Sequence, residues 1–339
     1  MTRAVLLACG LALGAALMVG CASPAPTVVV YTSVDQVYSE PVLQRFERES
    51  GIRVLAVYDV EATKTTGLVN RLLAEKANPQ ADVFWSGEFA QTLRLQAEGG
   101  LASYLSPNAE RIPAQYKDPQ GAWTGLAGRA RVFLVNTDRV EPGAYPDSIF
   151  DLLDARLPGE DIGMANPLFG TTATHAAALY AALGELQARQ FFQDLRAKGV
   201  RLVDGNSVVR DMVSRGELAF GLTDTDDACG ALQRGAPVAI VFPDQGEGEL
   251  GTLVIPNTLA LIAGAPHPGE GKRLIDYLLS DAAAEDLVNA GWSHVPLRPV
   301  DAKPPCLGEA TVRGMEVELG AVYSWLAPAL ADLAEIFVR

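Results

Sequence analysis

The side chains able to do chemistry in this chain gather in short polar stretches. Phe169-Gly170-Thr171-Thr172 stands at a helix start, where successive backbone N–H groups and the helix dipole favour an anion. Two hydroxyls add donors, and Gly170 lets the backbone come close. The same residues also read as an ordinary N-cap, since Thr caps helices well. Asn206-Ser207 opens another helix with Arg210 one turn on, a second donor cluster. Arg129 and Arg131 flank a strand start, where a guanidinium clamps a carboxylate or phosphate bidentately or serves as a surface ion-pair partner. Asp224, Asp226 and Asp227 crowd carboxylates directly after an apolar strand, and their mutual repulsion calls for a positive partner. The glycine and terminal glutamate of an EF-hand loop fall in the wrong places. No Gly-x-Ser-x-Gly elbow or coupled histidine is present, so a hydrolase, and an enzyme in general, is not expected. His175, His267 and His294 are scattered and the cysteines lack zinc-site spacing.

Strands alternating with helices must position these groups. Val28-Val29-Val30-Tyr31 is a β-branched strand that leads into Thr32-Ser33 and Asp35. Val42, Leu43 and Phe46 share one helix face that Gly51 closes. Further strands are expected at 52–58, 81–85, 131–135, 162–165, 200–203, 218–222, 253–255 and 258–263. Helices are expected at 65–77, 174–183, a segment ending near Gly199, 271–290, and from Val312 to the C-terminus. The third strand ends in Ser86-Gly87-Glu88. Alternation of this kind implies parallel pairing in an α/β sandwich, with ligands held off the carboxyl ends of strands.

The start of the chain addresses the compartment. Arg3 precedes an apolar run, Ala4 to Val19, that suits a signal peptide better than a membrane span. Small residues before Cys21 resemble a lipobox, which implies cleavage after residue 20, a lipid on Cys21, and residues 21–26 as a tether from the membrane to a protein in the periplasm or cell envelope. In that compartment Cys229 and Cys306 can form a disulfide or stay apart. A net charge of −14 excludes nucleic acid as an expected partner. The chain left after cleavage is longer than one hydrophobic core usually supports, so two lobes are expected.

TVVVYTSVDQ, GIRV, ADVFWSGE, LAGRARVFLVNT, FGTTA, DGNSVV and GELAFGLTD follow one another in the order found in bacterial ferric-binding periplasmic proteins and their relatives. The chain therefore resembles an extracellular solute-binding protein of an ABC transporter. The resemblance implies an α/β, two-lobed type II periplasmic binding protein, each lobe an α/β sandwich with a hinge between. Lobe 1 is expected at 27–128 plus 245–296, and lobe 2 at 129–244 plus 297–339. It also implies a monomer that delivers a small ligand to a permease and ATPase.

Residue by residue, the family's first-loop histidine ligand falls on Val34-Asp35-Gln36, where no histidine stands. Its glutamate ligand falls on Ser86-Gly87-Glu88. Its loop for a synergistic anion matches Gly170-Thr171-Thr172, with the partner asparagine at Asn206. Its paired tyrosines fall on Asp226 and Asp227, next to Thr225. The anion half is kept and the ferric half is rebuilt from carboxylates. Three ligand classes follow. The first is a small anion carrying a positive group, such as an aminoalkyl phosphonate, with the anion on the Gly170–Thr172 loop, Asn206 and an arginine, and the ammonium on the aspartates. The second is iron or another hard metal on Asp226, Asp227 and Glu88 with an anion. The third is a sugar phosphate.

Overall fold

The computed structural model describes residues 25–59, 66–292, 294–304, 306–307 and 311–338. The expected signal stretch and the lipidated Cys21 lie outside the described residues.

In chain order the elements are β1 (Thr27–Thr32), α1 (Gln36–Ser50), β2 (Arg53–Tyr58), α2 (Thr66–Ala74), β3 (Val83–Ser86), α3 (Ala90–Ala97), β4 (Leu101–Ala102) and a long β5 (Thr124–Asn136). They continue as β6 (Ile162–Ala165), α4 (Gly170–Leu183), α5 (Glu185–Lys198), β7 (Arg201–Val203), α6 (Asn206–Ser214), β8 (Phe220–Asp224), α7 (Thr225–Gln233) and β9 (Val238–Val241). The last are β10 (Val254–Ile262), α8 (Pro268–Leu278), α9 (Asp281–Asn289), β11 (Val295–Pro296) and α10 (Leu319–Val338).

The strands run in the order β2-β1-β3-β10-β5-β8-β6-β7, with β4 on β10 and both β9 and β11 on β5. One half pairs β1 in parallel with β2 and β3, and the other pairs β6 in parallel with β7 and β8. β5 joins them. Its residues up to Ala130 pair with β10 and β11, and from Arg131 onward it pairs with β8 and β9. This mixed α/β architecture follows the alternation in the sequence. β1 buries Val28 and Val30, and α1 buries Val42, Leu43 and Phe46. Gly51, at φ 69°, caps α1 by donating its N–H to the Glu47 carbonyl, as its position predicts.

Several boundaries differ from expectation, each for a physical reason. β5 begins at Thr124, so Arg129 and Arg131 sit within the strand and not at its start. Its opening TGLAGRA run looks too glycine-rich for a strand, but the neighbours leave room for nothing larger. A Cβ on Gly125 would come within 2.8 Å of Leu297, and one on Gly128 within 2.7 Å of Val254. The two short strands expected at 253–255 and 258–263 are one strand, β10, bent by a register shift between Pro256 and Thr258. The helix expected at 271–290 is two, because Ser280 caps α9 by accepting the Ala283 N–H. α4 starts at Gly170, earlier than Thr174, and α10 starts at Leu319, later than Val312. Cys229 on α7 and Cys306 are joined as a disulfide, with Cα atoms 5.4 Å apart.

Candidate functional site

Arg131 and Asp224 face each other across β5 and β8 in direct register. The Arg131 side chain is fully buried, and its Nη1 donates to Asp224 Oδ1 at 2.5 Å. Nη1 also donates to Thr171 Oγ1 and Asn206 Oδ1, both at 3.1 Å, and Nη2 donates to Thr172 Oγ1 at 3.2 Å. The other Asp224 oxygen accepts from Thr171 Oγ1 at 2.8 Å and Asn206 Nδ2 at 2.9 Å. Burial works against this carboxylate, yet Arg131 and Arg129 outweigh it and hold its pKa below the usual range. Behind the pair, burial and the Arg131 charge push His175 down to about 3, so it is neutral.

Groups expected to meet a ligand anion are thus bonded within the protein: the Thr171 hydroxyl and the Asn206 amide donate to Asp224, and the Thr172 hydroxyl accepts from Arg131. The helix start itself retains its polarity. Phe169 supplies no side-chain cap to α4, and Gly170 takes φ +56°, a left-handed conformation suited to glycine.

A cavity of about 150 Å³ lies beside the join in β5, and Asp35, Arg129 and Asp226 line it. Tyr38, Asn257, Trp292 and His294 complete its polar and aromatic wall. Gly170, Thr171, Thr172, Asn206, Ser207 and Arg210 do not line it. Arg129 Nη1 stands 3.6 Å from Asp226 Oδ2, a long contact, and the buried Arg129 Nε has no hydrogen-bond partner among the described residues. Burial disfavours the Arg129 charge, but Asp226, Asp224 and Glu88 more than compensate and raise its pKa. It is a charged donor with hydrogen-bonding capacity to spare.

The remaining predicted residues support this wall. The Ser33 hydroxyl accepts the Gly87 N–H at 2.9 Å, tying the loop after β1 to the loop after β3. Ser86 Oγ donates to the Glu88 carbonyl at 2.7 Å, and Asn257 Nδ2 donates to the Gly87 carbonyl at 3.1 Å. The Thr225 hydroxyl accepts the Ala130 N–H at 3.2 Å, at the point where β5 changes partners. Glu88 turns its carboxylate onto the start of α3, accepting from Ala90 N at 2.7 Å and Gln91 N at 2.9 Å. Its pKa rises through burial, against the pull of those two amides and Arg129.

Residues 78–314 match the family of bacterial extracellular solute-binding proteins. The chain belongs to that family. Among curated relatives, this solute-binding protein is 27% identical to the "Putative 2-aminoethylphosphonate-binding periplasmic protein" of Salmonella typhimurium, over 76% of this chain and 73% of that one. It is also 27% identical to "Iron uptake protein A2" of Synechocystis, over 69% and 70% of the two chains. Among solved structures, ferric iron-binding protein A of Mannheimia haemolytica in an open conformation superposes with a TM-score of 0.81, at 22% identity, over 92% of this chain and 98% of that one. The periplasmic binding protein AfuA of Actinobacillus pleuropneumoniae, with fructose-6-phosphate bound, superposes with a TM-score of 0.71 at 23% identity, over 91% and 98%. The two-lobed type II periplasmic binding protein fold is therefore the fold of this chain.

In the solute-binding protein the three aspartates do not await a ligand's cation as a set, because each stands beside an arginine. Asp224 pairs with Arg131, Asp226 with Arg129, and Asp227 with Arg210 Nη1 at 2.8 Å. Only Asp226 lines the cavity. Ser207 is exposed at the start of α6. Tyr38, Asn257, Trp292 and His294 were not legible as site residues. Trp292 and His294 reach the cavity only because the chain returns after α9, a long-range event with no local motif. His294 also lies with Cys229 and Cys306, their ligand atoms within 4.8 Å of one another, but the two sulfurs are bonded to each other.

Proposed function

We propose that this solute-binding protein captures a small anion that carries a positive group, of the aminoalkyl phosphonate class or another amine-bearing phosphoryl compound, and delivers it to the permease and ATPase of an ABC importer. The observation that carries this reading is that Arg129, Asp35 and Asp226 line one cavity. An under-bonded guanidinium takes the anion, and the carboxylates take the ammonium. A volume of about 150 Å³ is below the roughly 300–1,000 Å³ of sites for drug-sized ligands, which favours a small molecule. The Salmonella relative's description agrees with this class. Glu88, turned onto α3, and Asp227, bound to Arg210, are poorly placed to share a metal with Asp226. In this reading residues 27–128 with 245–296 close against 129–244 with 297–339, and a lipid on Cys21 holds the receptor at the membrane.

Mass spectrometry and metal analysis of ligand released from the purified protein test the class directly. Calorimetry with 2-aminoethylphosphonate on the wild type and Asp226→Asn follows. The variant is expected to lose about 1–3 kcal/mol of binding, the scale of one charge-assisted hydrogen bond. Tight binding of ferric iron with citrate, and none of any phosphonate, would overturn the reading.

A further inference from the structure

The cavity beside Arg129 has two aromatic walls. Tyr38 stands in the first turn of α1, where its N–H bonds back to the Asp35 carbonyl at 3.0 Å. Trp292 follows α9 and meets the fully buried Trp85 edge-on, at 5.8 Å between ring centroids and 87° between planes. That contact anchors Trp292 against the rigid β3. Tyr38, Trp292 and Asp226 thus come from three separate elements and line one small space. Aromatic rings beside a carboxylate form the chemical surrounding that recognises alkylammonium groups. The ring quadrupole attracts the cation, and its apolar face tolerates carbon on the nitrogen, which a hydrogen-bonding site does not.

We infer that Tyr38 and Trp292 determine specificity by receiving the ligand's ammonium end, with Asp226 as counter-charge, so that primary and N-methylated alkylammonium phosphonates are taken over phosphonates that lack an ammonium group. This rests on the amine-bearing anion reading above and adds the group that reads the amine. Arg129, whose Nη1 stands 3.6 Å from Asp226, holds the anionic end in the same cavity, and the aromatic rings receive the other end.

The test is calorimetry of the wild type with 2-aminoethylphosphonate, its N-trimethyl analogue and ethylphosphonate, repeated on Trp292→Leu, Trp292→Phe and Tyr38→Leu after their folding is checked by circular dichroism. The wild type is expected to bind both ammonium compounds at least tenfold more tightly than ethylphosphonate. Trp292→Leu and Tyr38→Leu should each weaken the ammonium compounds by on the order of tenfold while leaving ethylphosphonate nearly unchanged. Trp292→Phe should retain most of the preference. Equal weakening of all three ligands in both leucine variants, or no weakening, overturns the inference and leaves the ligand class standing, since the rings then only shape the cavity. Failure of the wild type to bind any of the three overturns both. Because Tyr38 is on the helix surface, its variant tests the inference even if Trp292→Leu fails to fold.

Discussion

Asp227 is under opposing influences at the residue scale. Burial disfavours its charge and the neighbouring Asp226 repels it, so its pKa is pushed up to about 6 although Arg210 lies 2.8 Å away. Arg210 offsets the repulsion only in part, because it also binds Asp211 at 2.8 Å. A carboxyl whose folded pKa exceeds its unfolded value favours the folded state most when protonated. Its contribution is complete below about pH 4 and is lost as pH rises through about 6. Asp227→Asn removes that loss and leaves Arg210 its second partner. Relative to the wild type, the variant is expected to gain stability between pH 4 and pH 7, by about 1–2 kcal/mol once screening at this partly exposed group is allowed for. Urea melts at the two pH values check this. A stability difference that is constant with pH would mean that Asp227 titrates normally.

At the scale of the element, β5 is the strand on which the site depends. It changes partners between Ala130 and Arg131, which places one arginine at the cavity and the other in the core of the second half. Arg131 holds Asp224, Thr171, Thr172 and Asn206 together, so it fixes the starts of α4 and α6 and the end of β8 at once. Arg131→Met leaves Asp224 charged and buried without its main partner. It is expected to cost about 3–5 kcal/mol, and adding Asp224→Asn should recover a substantial part. Urea midpoints at constant m value measure both, and a single-variant cost below about 1 kcal/mol would rule out the hub role. The strand-end loops that bear these groups were legible, because β-branched runs ending in Ser, Thr, Asn and Asp have a local signature. The direction of each side chain was not. Whether Thr171 faces a ligand or Asp224 depends on a register between β5 and β8 that no local pattern encodes. The length of β5 was hidden for the same reason: Gly125 and Gly128 look like breaks until Leu297 and Val254 are seen packed against them.

At the scale of the whole molecule, the chain passes between the two halves of the sheet along β5, between β9 and β10, and again after β11 on its way to α10, which packs on α4 and α5. Cys306 lies in that last passage and is bonded to Cys229 on α7, in the half that contains β8. If residues 297–339 move with the second lobe, the bridge lies within one moving body. It then stabilises the fold without restricting closure. The two cysteines are separated by 77 residues, and a loop of that size carries about 4 kcal/mol in the chain-entropy account. Cys229→Ala with Cys306→Ala should therefore lower stability by about 2–5 kcal/mol, read from the urea midpoint. Small-angle scattering, with and without 2-aminoethylphosphonate, then separates stability from motion. Ligand contacts from both lobes should make the protein more compact on binding, and by the same amount in the wild type and the double variant. Loss of the ligand-dependent change in the double variant alone would place the bridge across the hinge. Equal compaction with lowered stability would place it inside the second lobe, and the α7 segment bearing Asp226 would then travel with that lobe toward the aromatic wall of Tyr38 and Trp292.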